Sequence, residues 1–288
     1  MYHKEFSPDM RLAAYIRSYF FISVNFGKFH FPADGCPGLI VNLGNPFLLG
    51  FEQGRLSEFV GCRFFGSQTR NLLVTHVKGQ TELLAVKFKP GQWTRFFNVP
   101  AIELTDTSAS IHTLWGKSGR ELEQRVYETK HVSNKVKLLD HTFIKLLSIG
   151  NDASDERIPM ALNAIWRHNG QVRIEELAKA LSISRRHLNR CFLEFVGLTP
   201  KRVCRIARFL SAFSPRQTIG QINWADLAIA SGYSDQAHFI RECRYFTGKS
   251  PLPFLNDRTS LEQAVTGRTD IMSHFFNTPD VSSDTPAI

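Results

Sequence analysis

Sulfur is sparse in this 288-residue sequence. Its five cysteines, Cys36, Cys62, Cys191, Cys204 and Cys243, are scattered and form no C-x-x-C pair. In a reducing compartment such thiols are expected to stay free, and their spacing argues against a zinc site. No apolar run approaches the roughly 18 residues that a membrane span needs. The opening stretch MYHKEFSPDM lacks an apolar core with a small-residue cleavage site, so no secretory signal and no membrane association are expected, and the chain reads as cytosolic. No H-x-H pair, nucleophile–base pair or Gly-rich phosphate loop stands out. No catalytic residue, metal or cofactor is therefore expected. Acidic residues are also in deficit, with 26 Asp and Glu against 35 Lys and Arg, a formal charge of +9 and a pI near 9.5. That balance favours a polyanionic partner but says nothing of fold.

What is present changes character along the chain. Between residues 15 and 90 lie short β-branched and aromatic runs: SYFFISV, GLIVNL, FLLGF, FVGCRFFG, NLLVTHV and ELLAVKF. Gly, Pro, Asn or Asp breaks most of them, the pattern of a small antiparallel sandwich or barrel. After PGQW the texture turns helical, with apolar residues at three- and four-residue steps in GRELEQRVYETKH and NKVKLLDHTFIKLLSIG. The polar stretch Ile149–Pro159 reads as a boundary. The expected organisation is α+β in two domains: a β-barrel with helices over 1–150, an all-α domain over 155–257, and a polar tail over 258–288. A short helix at SLEQAV is the one element expected in the tail.

The helical half repeats a phrase. FVGLTP begins at Phe195 and FTGKSP at Phe246, 51 residues later. Before the first copy, Ile174, Leu177, Ala178 and Leu181 fall on one helical face. Ser184 is suited to cap a second helix striped by Leu188, Cys191, Phe192 and Phe195. Before the second, Leu227 and Ala228 repeat Leu177 and Ala178, and Asp235 repeats Ser184. One extra residue is expected in the second turn, around Gly232. Each unit is a short helix, a tight turn and a longer capped helix, which is a helix-turn-helix. Gly197 and Gly248 can end the long helices in the left-handed conformation, and Thr199–Pro200 and Ser250–Pro251 can start the next.

Opposite its apolar stripe, the first long helix presents Arg185, Arg186, Asn189 and Arg190. Arginine can grip guanine with two hydrogen bonds in the major groove, and asparagine can do the same for adenine. The second helix offers Gln236, Ala237, His238, Arg241 and Arg244. Between them, PKRVCRIARFLSAF reads as a linking helix whose Lys201, Arg202, Arg205 and Arg208 face either phosphates or acids within the domain.

SDQAHFIRECRYFTGKSP resembles the signature of the AraC/XylS family of bacterial transcription regulators, and IEELAKALSISRRHLNRCFLEFVGLTP resembles that family's first motif. The resemblance covers Ile174–Phe254. It implies seven helices, two helix-turn-helix units and a connecting helix, with both recognition helices set into adjacent major grooves of double-stranded DNA. Its base-reading positions fall on Arg186, Asn189 and Arg190, and on Gln236, Ala237, His238 and Arg241. Cys243 departs from the family's usual aromatic, and Ala237 from its common serine.

The first half resembles the cupin-like sensor of one subgroup, on PDMRLAAYIRSYFFIS, PADGCPGLIVNLGNP, GSQTR and LLAVKFKPGQW. That implies effector binding, dimerisation or both, with a homodimer, a small-molecule effector and RNA polymerase as partners beside promoter DNA. Arg70 and Lys87 are candidates for an anionic effector, with ordinary surface roles the plainer description. His30 and His76 stand alone and read as ordinary histidines. The aromatic set Phe20, Phe21, Phe26, Phe29, Phe31, Phe64 and Phe65 reads as barrel core before it reads as pocket lining. The competing reading is a cupin-type enzyme fused to a helical domain. A regulator governed by a protein partner or by its own level is a third.

Overall fold

The β-branched runs pair into antiparallel strands because each alternates residues between a covered and an open face. The computed structural model describes residues 2–24, 27–31, 35–51, 56–69, 72–77, 79–149, 155–213 and 223–256. Six strands form one sheet in the order β1-β2-β9-β4-β7-β10. They are β1 (Tyr2–Phe6), β2 (Ile16–Val24), β4 (Gly38–Asn42), β7 (Cys62–Phe65), β9 (Thr81–Phe88) and β10 (Ser108–Ser110). Four more, β3 (Gly27–Phe31), β8 (Leu72–Val77), β5 (Phe47–Phe51) and β6 (Ser57–Phe59), make a second sheet in the order β3-β8-β5-β6. The sheets meet through aromatic rings, with Phe59 of β6 and Phe65 of β7 at 5.9 Å. The expected barrel-type domain thus consists of two facing antiparallel sheets.

Its core is aromatic. The ring of Phe64 lies 4.6 Å from Trp93, 4.4 Å from Phe97 and 5.8 Å from Phe88. Phe21, Phe64 and Phe65 are buried and serve as core, and Phe20 is half-buried. Phe26 and the side chains of Phe29 and Phe31 lie outside the described residues. Helix α1 (Ile111–Glu128) starts at the cap of Ser110, kinks at Gly116 and precedes α2 (Val132–Ile149). Tyr19 of β2 donates its hydroxyl to Asp140 of α2 at 2.6 Å, tying helix to sheet.

Seven helices follow among the described residues: α3 (Arg157–Arg167), α4 (Ile174–Ala180), α5 (Arg185–Phe195), α6 (Pro200–Ala212), α7 (Trp224–Ala230), α8 (Gln236–Thr247) and α9 (Pro251–Asn256). They enclose a second hydrophobic core that runs from Ile158 to Phe246, separate from the first, which runs from Leu12 to Phe143. Fold class is therefore as the sequence implies, a β-rich half followed by an all-α half. Among the described residues no helix is long and apolar enough to cross a membrane.

The two cores are joined at the C-terminus of α5. Ser67 donates its hydroxyl to the carbonyl of Val196 at 2.6 Å, and Thr105 donates to the carbonyl of Gly197 at 2.7 Å. These are end-of-helix carbonyls that no later turn can satisfy. Gly66 lets the two hydroxyls approach together, since a Cβ there would stand 2.1 Å from the Leu104 carbonyl oxygen. Asp106, at φ +53°, locks the arrangement by accepting from the Thr69 amide at 2.6 Å and from its hydroxyl at 2.5 Å.

Gly197 has φ +81°, and a Cβ on it would meet Thr105 Oγ1 at 2.6 Å and the Ala101 carbonyl oxygen at 2.7 Å. Backbone cannot yield as a flexible side chain does. Gly197→Ala is expected to destabilise the protein by more than about 1 kcal/mol. Urea unfolding monitored by circular dichroism checks it; an unshifted midpoint would show that the junction is not under this constraint.

Candidate nucleic-acid interface

The two helix-turn-helix units share one hydrogen-bond pattern. In the first turn Ser182 donates to Lys179 and Ile183 to Ala178, both at 3.0 Å; in the second Gly232 donates to Ile229 and Tyr233 to Ala228, both at 2.9 Å. Ser182 and Gly232 hold the same left-handed place, at φ +55° and +78°. The extra residue of the second unit is therefore not at the glycine but after Tyr233. It is Ser234, whose hydroxyl donates to Asp235 at 3.0 Å and lies 3.1 Å from His238 Nδ1.

The caps are those the sequence indicates. Ser184 Oγ accepts from the His187 amide at 3.1 Å, and Asp235 Oδ1 from the His238 amide at 2.6 Å. The His238 amide, with help from Ser234, holds the Asp235 carboxyl below the usual carboxylate range. Gly248 ends α8 at φ +72°. Thr199 Oγ1 accepts from the Arg202 amide at 3.2 Å, with Pro200 in the first turn of α6.

Burial of Leu188, Cys191 and Phe192 fixes which side of α5 faces out. Arg185, Arg186, Asn189 and Arg190 are all exposed and, with Leu193, line one shallow depression. Two of the arginines are already tethered. Arg185 Nη1 donates to Glu175 of α4 at 2.7 Å, and Arg190 Nη2 to His187 Nδ1 at 3.0 Å. On α8, Gln236, Ala237 and Arg241 are exposed, while His238 is half-buried, edge-on to Tyr233 at 5.2 Å. The structure thus brings the first set together, and it sets His238 partly aside in packing.

The linking helix spends part of its charge internally. Arg205 forms a two-pronged pair with buried Glu242 of α8, at 2.6 and 3.0 Å, and Arg208 donates to the Gly170 carbonyl at 3.1 Å. Lys201 stays exposed. At the family's aromatic position, Cys243 is fully buried beside Thr247, and burial pushes its thiol up to about 12.

A cavity of about 440 Å³ opens between the halves, walled by Phe88, Lys89, Arg17 and Cys36 on one side and by Trp166 and Arg167 of α3 on the other. Burial, then the charge of Arg17, lowers the Lys89 ammonium below its usual range. Lys87 is half-buried in β9 and does not line this cavity. Arg70 and the side chains of His30 and His76 lie outside the described residues. Sequence reasoning missed the cavity residues and the Ser67–Thr105 clamp, because both arise only when distant segments meet. GSQTR was visible as a motif, without its role.

Residues 177–257 match the family model of a helix-turn-helix domain, and residues 4–110 match that of a domain of unknown function, DUF6597. No curated protein matches. Solved structures that resemble the chain include ToxT from Vibrio cholerae, at 13% identity and TM-score 0.45 over 82% of this chain and 97% of that one. A ToxT structure with an unsaturated fatty acid bound gives 12% and 0.44 over 82% and 93%. The AraC-like transcriptional activator CuxR gives 12% and 0.25 over 74% and 87%. Geometry and domain match define a DNA-binding protein with two reading heads in one chain. The chain thus carries a helix-turn-helix domain behind a β-rich domain that matches the DUF6597 model.

Glu242→Ala would strand the Arg205 guanidinium against the domain core. Because Arg205 remains partly solvated, a loss of about 2 kcal/mol is expected, below the range for fully buried pairs. Thermal unfolding of the variant checks this. A melting temperature within error of the parent would mean that the pair is incidental.

Proposed function

We propose that the protein is a sequence-specific transcription regulator. Residues 1–150 act as sensor and dimerisation domain, 155–257 as the reading head, and 258–288 as a tail. The observation that carries the reading is the exposed set Arg186, Asn189 and Arg190 on the long helix of a capped helix-turn-helix, with a second, differently worded unit 51 residues on. Arg185, held by Glu175, is placed for phosphate. Gln236, Ala237 and Arg241 read the second groove, with His238 at its edge. Homodimerisation, contact with RNA polymerase, activation and a cytoplasmic location belong to the same reading, and catalysis has no part in it.

Because the exposed residues differ between units, one chain is expected to read an asymmetric site across two major-groove segments about 10 bp apart. Arg190→Ala should cost about 1–3 kcal/mol on the cognate duplex and little on a scrambled one. Titrations on both duplexes, with single-base substitutions, decide it. Equal losses on the two duplexes, or one short palindrome with symmetric sensitivity, would falsify the two-headed reader.

The effector site of this reading is the cavity between the halves. Arg17, Lys89 and Arg167 with Phe88 and Trp166 suit an organic anion with an apolar body. Lys87 and Arg70 are the candidates that the sequence alone offers. Screening carboxylates by thermal shift is expected to find stabilising ligands whose shift falls by half or more in Lys89→Ala. An equal shift in the variant would place the effector elsewhere.

A further inference from the structure

The fold assembles a cluster that sequence spacing did not announce. Asp155, just ahead of α3, meets His187 and Cys191, one turn apart on α5, and their ligand atoms all lie within 4.8 Å of one another. Cys191 Sγ stands 3.4 Å from His187 Nε2 and 3.5 Å from Asp155 Oδ2. A tetrahedral zinc with bonds of about 2.3 Å to sulfur and about 2.0 Å to nitrogen and oxygen has ligand–ligand edges of about 3.5 Å. Two of the three edges already have that length.

The hydrogen bonding around His187 is also over-supplied with donors. Arg190 Nη2 lies 3.0 Å from Nδ1 and Arg157 Nη2 lies 3.2 Å from Nε2. Arginine only donates, and a neutral imidazole has one acceptor nitrogen, so one of these contacts sets donor against donor. Replacing the Arg157 contact at Nε2 by a cation removes the conflict there and leaves it at Nδ1, against Arg190. Arg157 now grips both carboxylate oxygens, Oδ1 through Nε at 2.6 Å and Oδ2 through Nη2 at 2.7 Å. Its side chain is 41% exposed, and a turn of its outer Nη2 away from Oδ2 and His187 would keep the Nε bond to Oδ1 and free Oδ2 for the metal. A carboxylate braced in this way through its other oxygen is the common outer support of a metal ligand. The cluster opens onto a cavity of about 390 Å³ that Glu156 and Glu194 also line, which leaves room for water as a fourth ligand.

We propose that Asp155, His187 and Cys191 bind a thiophilic divalent cation of the zinc type, and that its binding releases Arg190 from His187. On binding, the thiol passes its proton to solvent and the thiolate, Nε2 and Oδ2 coordinate. The single imidazole proton then sits on Nδ1, which faces Arg190 as a donor and turns it out toward the surface. The site stands on the cluster alone; the consequence for Arg190 rests on its assignment as a base reader.

Cobalt(II) titrated into the reduced full-length protein is the test. One equivalent should bring cobalt–thiolate charge-transfer absorption and d–d bands of four-coordinate intensity, which zinc(II) bleaches. Cys191→Ser should abolish the charge-transfer band. Since Cys191 is buried, Asp155→Asn and His187→Gln, checked by circular dichroism, serve beside it and should each weaken binding at least about tenfold. No thiolate band in the parent, or a band that persists in a folded Cys191→Ser protein, overturns the site. Zinc should change operator affinity at least threefold in the parent and leave Arg190→Ala unaffected. Bound zinc with unaltered operator affinity overturns the release of Arg190, whereas loss of operator recognition in all forms points to the reading of Arg190 itself.

Discussion

Two hydroxyls on two carbonyls at the end of one helix organise this molecule. Ser67 and Thr105 take up Val196 and Gly197 where α5 runs out of partners of its own. Apolar contact closes around them: Gly35 faces Ile206 and Leu198, and Gly91 faces Ile158, Leu162 and Val196. Unsatisfied carbonyls in such a place would each cost roughly 1–3 kcal/mol. The β-rich half therefore supplies the C-terminal cap of α5, the long helix of the first helix-turn-helix unit. A displacement of the loops bearing Ser67 or Thr105 acts directly on the orientation of that helix.

Positive charge is distributed with the same economy. The excess of basic residues does not translate into an equal count of DNA contacts, because several arginines have partners inside the protein. Arg205 is held by Glu242, Arg157 by Asp155, and Arg208 by the Gly170 carbonyl. Arg185 and Arg190, though exposed, are oriented by Glu175 and His187. For Arg185, a long side chain that is already aimed loses less rotamer entropy on reaching a phosphate. The exposed ion pair with Glu175 is itself worth little, so it can be exchanged for a phosphate with little penalty.

Local features were legible in the sequence and tertiary ones were not. All six β-branched runs became strands, and both repeat units became helix-turn-helices with Ser184 and Asp235 as caps, since these depend on residues within a turn of one another. Strands β1, β3, β6 and β10 are not among those runs. YHKEF is charged and lies at a sheet edge, and SAS is three residues of weak strand preference held by pairing with β7. Ser234 could not be placed from spacing, because a one-residue insertion in a turn looks the same on either side of a glycine. The Glu242–Arg205 pair, the cavity wall and the Asp155–His187–Cys191 cluster join residues 30 or more positions apart, where no periodicity carries information.

The two reading heads are consequently unequal in more than their surface residues. Helix α5 is capped by the β-rich half, and α3, which packs beside it in the second core, forms one wall of the interdomain cavity. Helix α8 is instead fixed through α6, by Arg205 and by the packing of Phe209 against Phe246, ring centroids 5.0 Å apart. On the proposed reading, a ligand in the cavity would bear on Pro159, Met160, Leu162 and Asn163, the first of them one turn from Asp155 and its neighbour His187. Strain introduced there reaches α5 first and α8 only through the body of the helical core. On the proposed function, control would therefore fall on the half of each DNA site under α5, with the half under α8 as the constant anchor.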